Sequence, residues 1–162
     1  MIGGGDLAEN RLMPDIARGL KKRTKVEIRN SASTRPWQHV LDPLVGYVLV
    51  SESHFMDKEI DSINFGPTEK SISVKEVCNI VSKITENKID FQFNEIKTKD
   101  KSQQESILLD LDSTKAQTDL GWRPNWSQRE AINDTIKWWQ GVLDNSVDPR
   151  AACLGDIRKL LA

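Results

Sequence analysis

Two short segments hold the residues of this sequence that are best suited to bind a ligand. Residues 35–43 read Arg-Pro-Trp-Gln-His-Val-Leu-Asp-Pro, and residues 120–124 read Leu-Gly-Trp-Arg-Pro. The guanidinium group of Arg35 is planar and permanently charged, and its paired N–H donors suit the oxygens of a phosphate group. An ordinary surface ion pair is the alternative for Arg35, and the residue types alone leave both interpretations open.

Several common catalytic arrangements are absent from the 162 residues. The one tyrosine, Tyr47, is followed four positions later by Ser51, so the chain contains no Tyr-x-x-x-Lys pair. The glycines at 3–5 follow no strand and lack the spacing of a dinucleotide-binding fingerprint. His39 and His54 have no cysteine or histidine neighbours at the spacing of zinc ligands. We therefore expect no catalytic residue, no bound cofactor and no metal site in this chain alone.

The composition is that of a folded protein with balanced charge. Lys and Arg number 23 and Asp and Glu number 24, so the net charge of −1 argues against a nucleic-acid partner and against docking on an anionic membrane. No apolar run approaches the roughly 18 residues of a transmembrane helix, and no signal peptide is visible. The two cysteines form no CxxC motif, which is typical of free thiols in a reducing compartment. We therefore expect a cytoplasmic protein.

Hydrophobic spacing predicts a mixed α/β order in which helices and short strands alternate. Helices are expected at about 11–22, 42–50, 73–84, 112–121 and 127–143, and strands at 25–29, 63–66 and 89–93. Residues 30–34 are expected to form a turn and 98–104 a surface loop, while the tail after residue 145 has no clear assignment.

Local signals predict how the helices begin and end. Ser73 and Ser127 are each followed three residues later by glutamate, which is the spacing of a capping box. Asp42, followed by proline, is expected to cap the second helix, whose apolar residues at 44, 45, 48 and 49 would form a buried stripe. Gly121 is expected to end the fourth helix.

Seven motifs occur in an order that is typical of one enzyme family. They are Ile-Gly-Gly-Gly-Asp at 2–6, Arg-Leu-Met-Pro-Asp at 11–15, Val-Glu-Ile-Arg-Asn at 26–30, Thr-Arg-Pro-Trp-Gln-His-Val-Leu-Asp-Pro at 34–43, Asn-Phe-Gly-Pro at 64–67, Leu-Asp-Ser at 111–113 and Leu-Gly-Trp-Arg-Pro at 120–124. Together they closely resemble the C-terminal half of the CDP-glucose 4,6-dehydratase family, within the extended short-chain dehydrogenase/reductase (SDR) superfamily. The Arg-Pro-Trp-Gln-His-Val block is the part most specific to the CDP-sugar branch.

The resemblance implies an enzyme larger than this chain. The family converts CDP-glucose to CDP-4-keto-6-deoxyglucose, in deoxysugar and O-antigen biosynthesis, by oxidation, loss of water and return of the hydride. Its NAD, bound to an N-terminal Rossmann lobe, and its Tyr-x-x-x-Lys pair belong to the upstream part. We therefore expect residues 1–162 to be a truncated nucleotide-sugar binding lobe. It would be an α/β C-terminal part of an extended SDR fold that lacks most of the Rossmann cofactor lobe.

The resemblance also implies residues that contact a CDP-sugar. Arg35 matches the family arginine on the diphosphate. Arg11 matches a basic or polar position just before the helix that borders the substrate, and Asn64 matches an asparagine at a strand end near the nucleotide. A surface arginine and a turn-forming asparagine are the alternatives for Arg11 and Asn64.

Three further candidates belong to the nucleotide end of the site. Ile28 and Arg29 match the strand end that lines the base pocket, the alternative being an ordinary edge strand with a solvated arginine. Glu105 lies where the family has a segment close to the nucleotide, although Gln104 stands there in place of the usual histidine.

Three functions remain open at this point. A truncated dehydratase-like protein would be inactive by itself. A stand-alone module would bind the CDP-sugar or would pair with a separately encoded NAD-binding lobe. A dimerisation or scaffold fragment would bind no ligand. Helix faces left without a partner lobe also predict partial self-association.

Overall fold

A computed structural model of the chain describes residues 1–58, 60–94 and 107–162. Its helices are α1 Leu12–Lys22, α2 Leu41–Phe55, α3 Val74–Ile84, α4 Thr114–Leu120, α5 Gln128–Leu143 and α6 Pro149–Leu160. Its strands are β1 Val26–Ile28, β2 Thr34–Arg35, β3 Ile72–Ser73 and β4 Phe91–Phe93. This order confirms the α/β class. No helix in the described residues is both long enough and apolar enough to cross a membrane.

The strands pair in two small sheets. β1 runs parallel to β4, and β2 runs antiparallel to β3. A separate parallel bridge joins Ile2 to His39. In this bridge the Ile2 N–H donates to the Gln38 carbonyl and the Val40 N–H donates to the Ile2 carbonyl, each at 2.8 Å. The first residues of the chain are therefore fixed to the segment that carries the Arg-Pro-Trp-Gln-His-Val block.

The main core lies between α1, α3, α5 and the β1–β4 pair. Its fully buried side chains include Ile16 of α1, Val77 and Val81 of α3, and Ile132 and Ile136 of α5. Their spacing of four residues places each pair on one helix face, so the helices bury a continuous apolar stripe. The helices that hydrophobic spacing predicted at about 11–22, 73–84 and 127–143 are confirmed.

The second helix begins differently from the prediction. Its N-cap is Val40, and the helix continues to Phe55 instead of ending near residue 50. Asp42 does not cap it. The Asp42 side chain is fully buried and accepts a hydrogen bond from the backbone N–H of Asn125 at 2.7 Å. A tertiary partner therefore replaces the local cap that the Asp-Pro pair suggested.

The buried stripe expected on α2 is wrong at two of its positions. Leu44 is 47% exposed and Val48 is 57% exposed, whereas Gly46 is buried. The ring of Phe65 lies directly against Gly46, so that an added Cβ would be 2.4 Å from a ring carbon. Close approach at a small residue, rather than a row of large apolar side chains, therefore determines which side of α2 faces inward.

One of the two expected capping boxes is complete. The Ser127 side chain accepts from the Glu130 N–H while the Glu130 carboxylate accepts from the Ser127 N–H at 2.9 Å. At Ser73 the side chain accepts from the Glu76 N–H at 3.1 Å, but the Glu76 carboxylate pairs with Arg129 of α5 at 2.7 Å. The second half of the Ser73 box is therefore wrong, because a charged partner on another helix takes the carboxylate.

Three other segments differ from the sequence-based expectations. Residues 63–66 form no strand, and β2 forms where the turn was expected to end. The tail forms α6, with the Asp148 side chain accepting from the N–H groups of the first turn and Pro149 at the first helical position. The loop expected at 98–104 lies outside the described residues.

Alanine at Gly46 and at Gly155 is expected to shift stability in opposite directions. The new Cβ at Gly46 meets the Phe65 ring, so Gly46→Ala should lower the free energy of unfolding by about 1–3 kcal/mol. At Gly155, within α6, an added Cβ meets nothing within 4 Å beyond its chain neighbours and the backbone of its own helix. Gly155→Ala should therefore raise the free energy of unfolding by about 0.5–1 kcal/mol, since alanine favours helix.

Chemical denaturation followed by circular dichroism measures both changes. Gly155→Ala is the matched control, because it makes the same substitution inside another helix. A Gly46→Ala protein that is as stable as the wild type would contradict the close packing of Phe65 on α2.

Candidate functional site

Two cavities meet at Arg35. The first has a volume of about 660 Å³ and is lined by Arg11, Arg35 and Asn64 among others. The second has a volume of about 570 Å³ and is lined by Ile28, Arg29 and Arg35 among others. We term them the Arg11 cavity and the Arg29 cavity. Five residues singled out from the sequence are thus distributed over two adjoining cavities that have one arginine in common.

The β2–β3 pair positions Arg35. Arg35 lies opposite Ile72 in the antiparallel register, and its Nη1 donates to the Thr34 carbonyl at 2.8 Å. Two residues later, the Trp37 indole Nε1 donates to the Ile72 carbonyl at 3.1 Å. The half-buried guanidinium is therefore held between the two cavities, where it can offer charged N–H donors to an anion.

A buried glutamine fixes the next part of the segment. Gln128, the first residue of α5, is 1% exposed. Its Oε1 accepts from the Trp37 N–H at 3.3 Å, and its Nε2 donates to the Lys70 carbonyl at 2.7 Å. Both ends of the amide are therefore used, and α5 is tied to both chain segments beside the site.

His39 attaches the same segment to Trp126 and α6, on the side away from the cavities. Its ring is 1% exposed and stacks on Trp126, with the ring centroids 4.3 Å apart. Its Nε2 lies 3.8 Å from the Asp156 carboxylate of α6. Burial lowers the pKa of His39, with Lys159 also lowering it and Asp134 opposing. His39 is therefore neutral near pH 7 and acts in packing.

Asp42 attaches the start of α2 to the loop at 121–125. Besides the bond from Asn125 to its side chain, its backbone carbonyl accepts from the Trp122 indole Nε1 at 2.9 Å. Burial raises the pKa of the Asp42 carboxyl, although the hydrogen bonds from Asn125 oppose the shift. The Phe65 ring packs edge-on against Trp122 at 5.0 Å, which places the neighbouring Asn64 at the Arg11 cavity.

The remaining candidate residues differ in how far their side chains reach a cavity. Arg11 is largely exposed and lies 3.5 Å from the Asp6 carboxylate, which also lines the Arg11 cavity. Arg29 is exposed just beyond the end of β1. Ile28 packs its side chain into the core, and its carbonyl accepts from the Asn94 N–H at 2.8 Å. Glu105, like Gln104, lies outside the described residues.

The sequence did not indicate several other residues at the cavities. Gln38 and Tyr47 line the Arg11 cavity, and Arg18, Lys22 and Lys25 line the Arg29 cavity. A charged residue on an exposed helix end does not reveal a cavity from the sequence, because another part of the chain forms the opposite wall of that cavity. Within the described part of the chain, no group of three or more His, Cys, Asp or Glu could hold a metal ion.

The chain is similar in sequence to part of a curated enzyme. It is 39% identical over 140 residues to CDP-glucose 4,6-dehydratase of Salmonella typhimurium, an alignment that covers 85% of this chain and 38% of that protein. The chain is a homologue of one part of CDP-glucose 4,6-dehydratase. It is also 27% identical over 146 residues to UDP-glucose 4-epimerase of Halalkalibacterium halodurans, covering 85% of this chain and 42% of that protein. No protein-family model matches the chain.

Solved structures show the same fold. UDP-glucuronic acid 4-epimerase from Bacillus cereus superposes with a TM-score of 0.70 at 18% identity, covering 88% of this chain and 43% of the other. dTDP-glucose 4,6-dehydratase from Bacillus anthracis does so with a TM-score of 0.65 at 13% identity, covering 85% and 41%. Both were solved with NAD. The fold of this dehydratase homologue is therefore that of the C-terminal portion of extended SDR epimerases and dehydratases, and the chain spans about two fifths of their length.

Lowering the pH below about 6.5 is expected to destabilise the homologue through His39. Burial holds the pKa of His39 below its usual 6.5, so the unfolded chain takes up the proton first. The free energy of unfolding should therefore fall as the pH drops from about 6.5 toward the pKa of the folded state. Asp156 gives a slope of opposite sign at lower pH, because burial raises its pKa.

Thermal unfolding between about pH 5.5 and 7.5 measures this slope, in the range where histidine titrates. The slope should become smaller in His39→Asn and stay unchanged in His54→Asn, which alters the one other histidine, an exposed one. An equal slope in the two variants would exclude His39 as its source.

Proposed function

We propose that the chain is the nucleotide-sugar binding part of a CDP-glucose 4,6-dehydratase. The observation that carries this proposal is the position of Arg35 between two cavities lined by the other candidates. The diphosphate would bind Arg35, the pyrimidine base would enter the Arg29 cavity, and the sugar would enter the Arg11 cavity. Homology to CDP-glucose 4,6-dehydratase supports CDP-glucose as the substrate.

The size and charge of the cavities support a ligand of this class. Both volumes fall within the roughly 300–1,000 Å³ that is usual for small-molecule sites. Arg11, Arg29 and Arg35 bring three permanent positive charges to the two cavities, which suits a diphosphate that carries several negative charges. Hydrogen bonds between a guanidinium and a phosphate are among the stronger ones that proteins make.

NAD does not fit the residues that this chain provides. Gly3 and Gly4 are used in packing: an added Cβ on Gly4 would lie 2.0 Å from the Trp138 ring, and one on Gly3 would lie 2.8 Å from a methyl group of Val40. Gly3 and Gly4 are therefore covered by side chains, so the three glycines form no cradle for a pyrophosphate. We assign NAD to the part of the relatives that this chain does not align with.

A second candidate function is that of a subunit that pairs with a separate NAD-binding lobe. The Ile2–His39 bridge is parallel, and parallel strands normally lie inside larger sheets covered on both faces. Next to it, α2 exposes Leu44, Tyr47 and Val48. A lobe with a parallel sheet could extend the bridge and cover this apolar face. For either function we infer a cytoplasmic location, since both cysteines are free.

Replacing Arg35 with alanine is expected to weaken binding of CDP about tenfold or more. A hydrogen bond to a charged group contributes roughly 1.5–3 kcal/mol, and 1.4 kcal/mol corresponds to one decade in affinity. Calorimetric titration of CDP into the wild type and Arg35→Ala measures the change. Arg123→Ala is the matched control, because Arg123 is exposed and is not among the residues that line either cavity.

The salt dependence of the same titration gives a second readout. Binding by the wild type should weaken as ionic strength rises, and this dependence should be smaller in Arg35→Ala. If Arg35→Ala and Arg123→Ala bind CDP as tightly as the wild type, Arg35 is not at the diphosphate.

The 162 residues alone are expected to form no 4-keto product from CDP-glucose and NAD. They contain neither a dinucleotide fingerprint nor a Tyr-x-x-x-Lys pair. The Salmonella relative, assayed in parallel, is the positive control. Product above background from this chain alone would overturn the assignment of NAD to another part.

The second candidate is tested by adding the remaining N-terminal part of the Salmonella relative as a separate chain. Pairing predicts that turnover appears on mixing and that Val48→Asp abolishes it, since a charge would enter the covered apolar face. Lys75→Asp, at an exposed position of α3, is the control. If mixing gives no co-elution and no turnover, the pairing function is wrong.

A further inference from the structure

The side-chain Nε2 of Gln38 takes no part in the hydrogen bonds that hold the site. Gln38 is 4% exposed and lines the Arg11 cavity. Its Nε2 is buried and has no hydrogen-bond partner among the described residues. Buried amide groups without a partner are rare in folded proteins, so this group points to a partner that arrives with a ligand.

The backbone determines which way Gln38 faces. Its carbonyl accepts from the Ile2 N–H in the parallel bridge, so residues 38 and 39 have strand geometry there. Successive side chains of a strand point to opposite faces. His39 packs against Trp126 on one face, and Gln38 therefore stands on the other, where the Arg11 cavity lies.

We propose that the amide of Gln38 hydrogen-bonds to a hydroxyl of the sugar half of the nucleotide sugar and so distinguishes CDP-glucose from CDP. This inference rests on the proposed function. Arg11 and Arg35 supply the positive charge that a diphosphate requires, whereas the Gln38 amide is neutral and suits an uncharged group. A hydroxyl both donates and accepts, so it can pair with either end of the amide.

Position along the chain supports the sugar as the partner. Gln38 is three residues beyond Arg35, on the side of the Arg11 cavity, and it does not line the Arg29 cavity. A ligand whose diphosphate lies at Arg35 would extend one end into each cavity. Gln38 would then meet the end opposite the base.

Titration of CDP-glucose and of CDP into the wild type and Gln38→Met tests the inference. Methionine keeps the length of the side chain and removes its hydrogen-bonding groups. Gln38→Met should bind CDP-glucose about two- to tenfold more weakly, the effect of one neutral hydrogen bond, and should bind CDP as the wild type does. Gln140→Met on α5, which lines neither cavity, is the matched control and should change neither affinity.

Each other outcome overturns the inference in a recognisable way. Equal weakening of both ligands in Gln38→Met would show a structural role only. Unchanged affinity for both would remove Gln38 from the site, while the proposed function would stand if Arg35→Ala still weakened CDP. A wild type that binds neither ligand would overturn the proposed function and this inference together.

A measurement on the wild type covers the case in which Gln38→Met fails to fold. The side-chain NH₂ resonances of Gln38 in a ¹⁵N-labelled sample should shift on addition of CDP-glucose and remain in place on addition of CDP. Resonances that stay fixed with CDP-glucose, in a sample whose backbone resonances show binding, would contradict the hydrogen bond.

Discussion

One buried amide, that of Gln128, holds the candidate site in position. It accepts from the Trp37 N–H and donates to the Lys70 carbonyl, and it is nearly inaccessible to water. Removing the side chain would take away the partner of the Trp37 N–H and of the Lys70 carbonyl, two partly buried backbone groups. Arg35 lies only two residues before Trp37, so the junction of the two cavities depends on this attachment.

Neighbouring residues of the segment at 35–43 contact different parts of the structure. The Trp37 backbone N–H is bound by Gln128 of α5 and the His39 ring stacks on Trp126 near Asp156 of α6, while Gln38 lines the Arg11 cavity on the side away from His39. Burial keeps His39 uncharged, which allows an imidazole to serve as a stacking partner for Trp126. Asp42 then ends the segment by attaching to the loop at 121–125. Successive residues of this short stretch are therefore held by different neighbouring elements.

The sequence was sufficient to predict α1, α3 and α5, because each of these helices buries a regular apolar stripe. It was insufficient for α2, because the inward side of that helix is defined by Gly46 and by the buried carboxylate of Asp42. Neither residue adds to an apolar period. The strands β2 and β3 have two residues each, too few to show a period of two, so they could not be found from patterning. The arginines of the site were found from motifs, whereas Tyr47 joins them only through contacts between distant segments, and the role of Gln38 depends on the burial of its amide.

Those contacts are separated by long stretches of chain, and this determines when the site can form during synthesis. Trp37 and Gln128 are 91 positions apart, and Asp42 and Asn125 are 83 apart. At roughly 5–20 residues per second, the segment that carries Arg35 waits on the order of 5–18 s on the ribosome before its amide partner is made. Closing loops of that length delays folding further, since their entropy is lost before the contacts form. The segment that carries Arg35 thus becomes ordered only after its partner on α5 has been made, and nascent chains that stop before α5 cannot form the site.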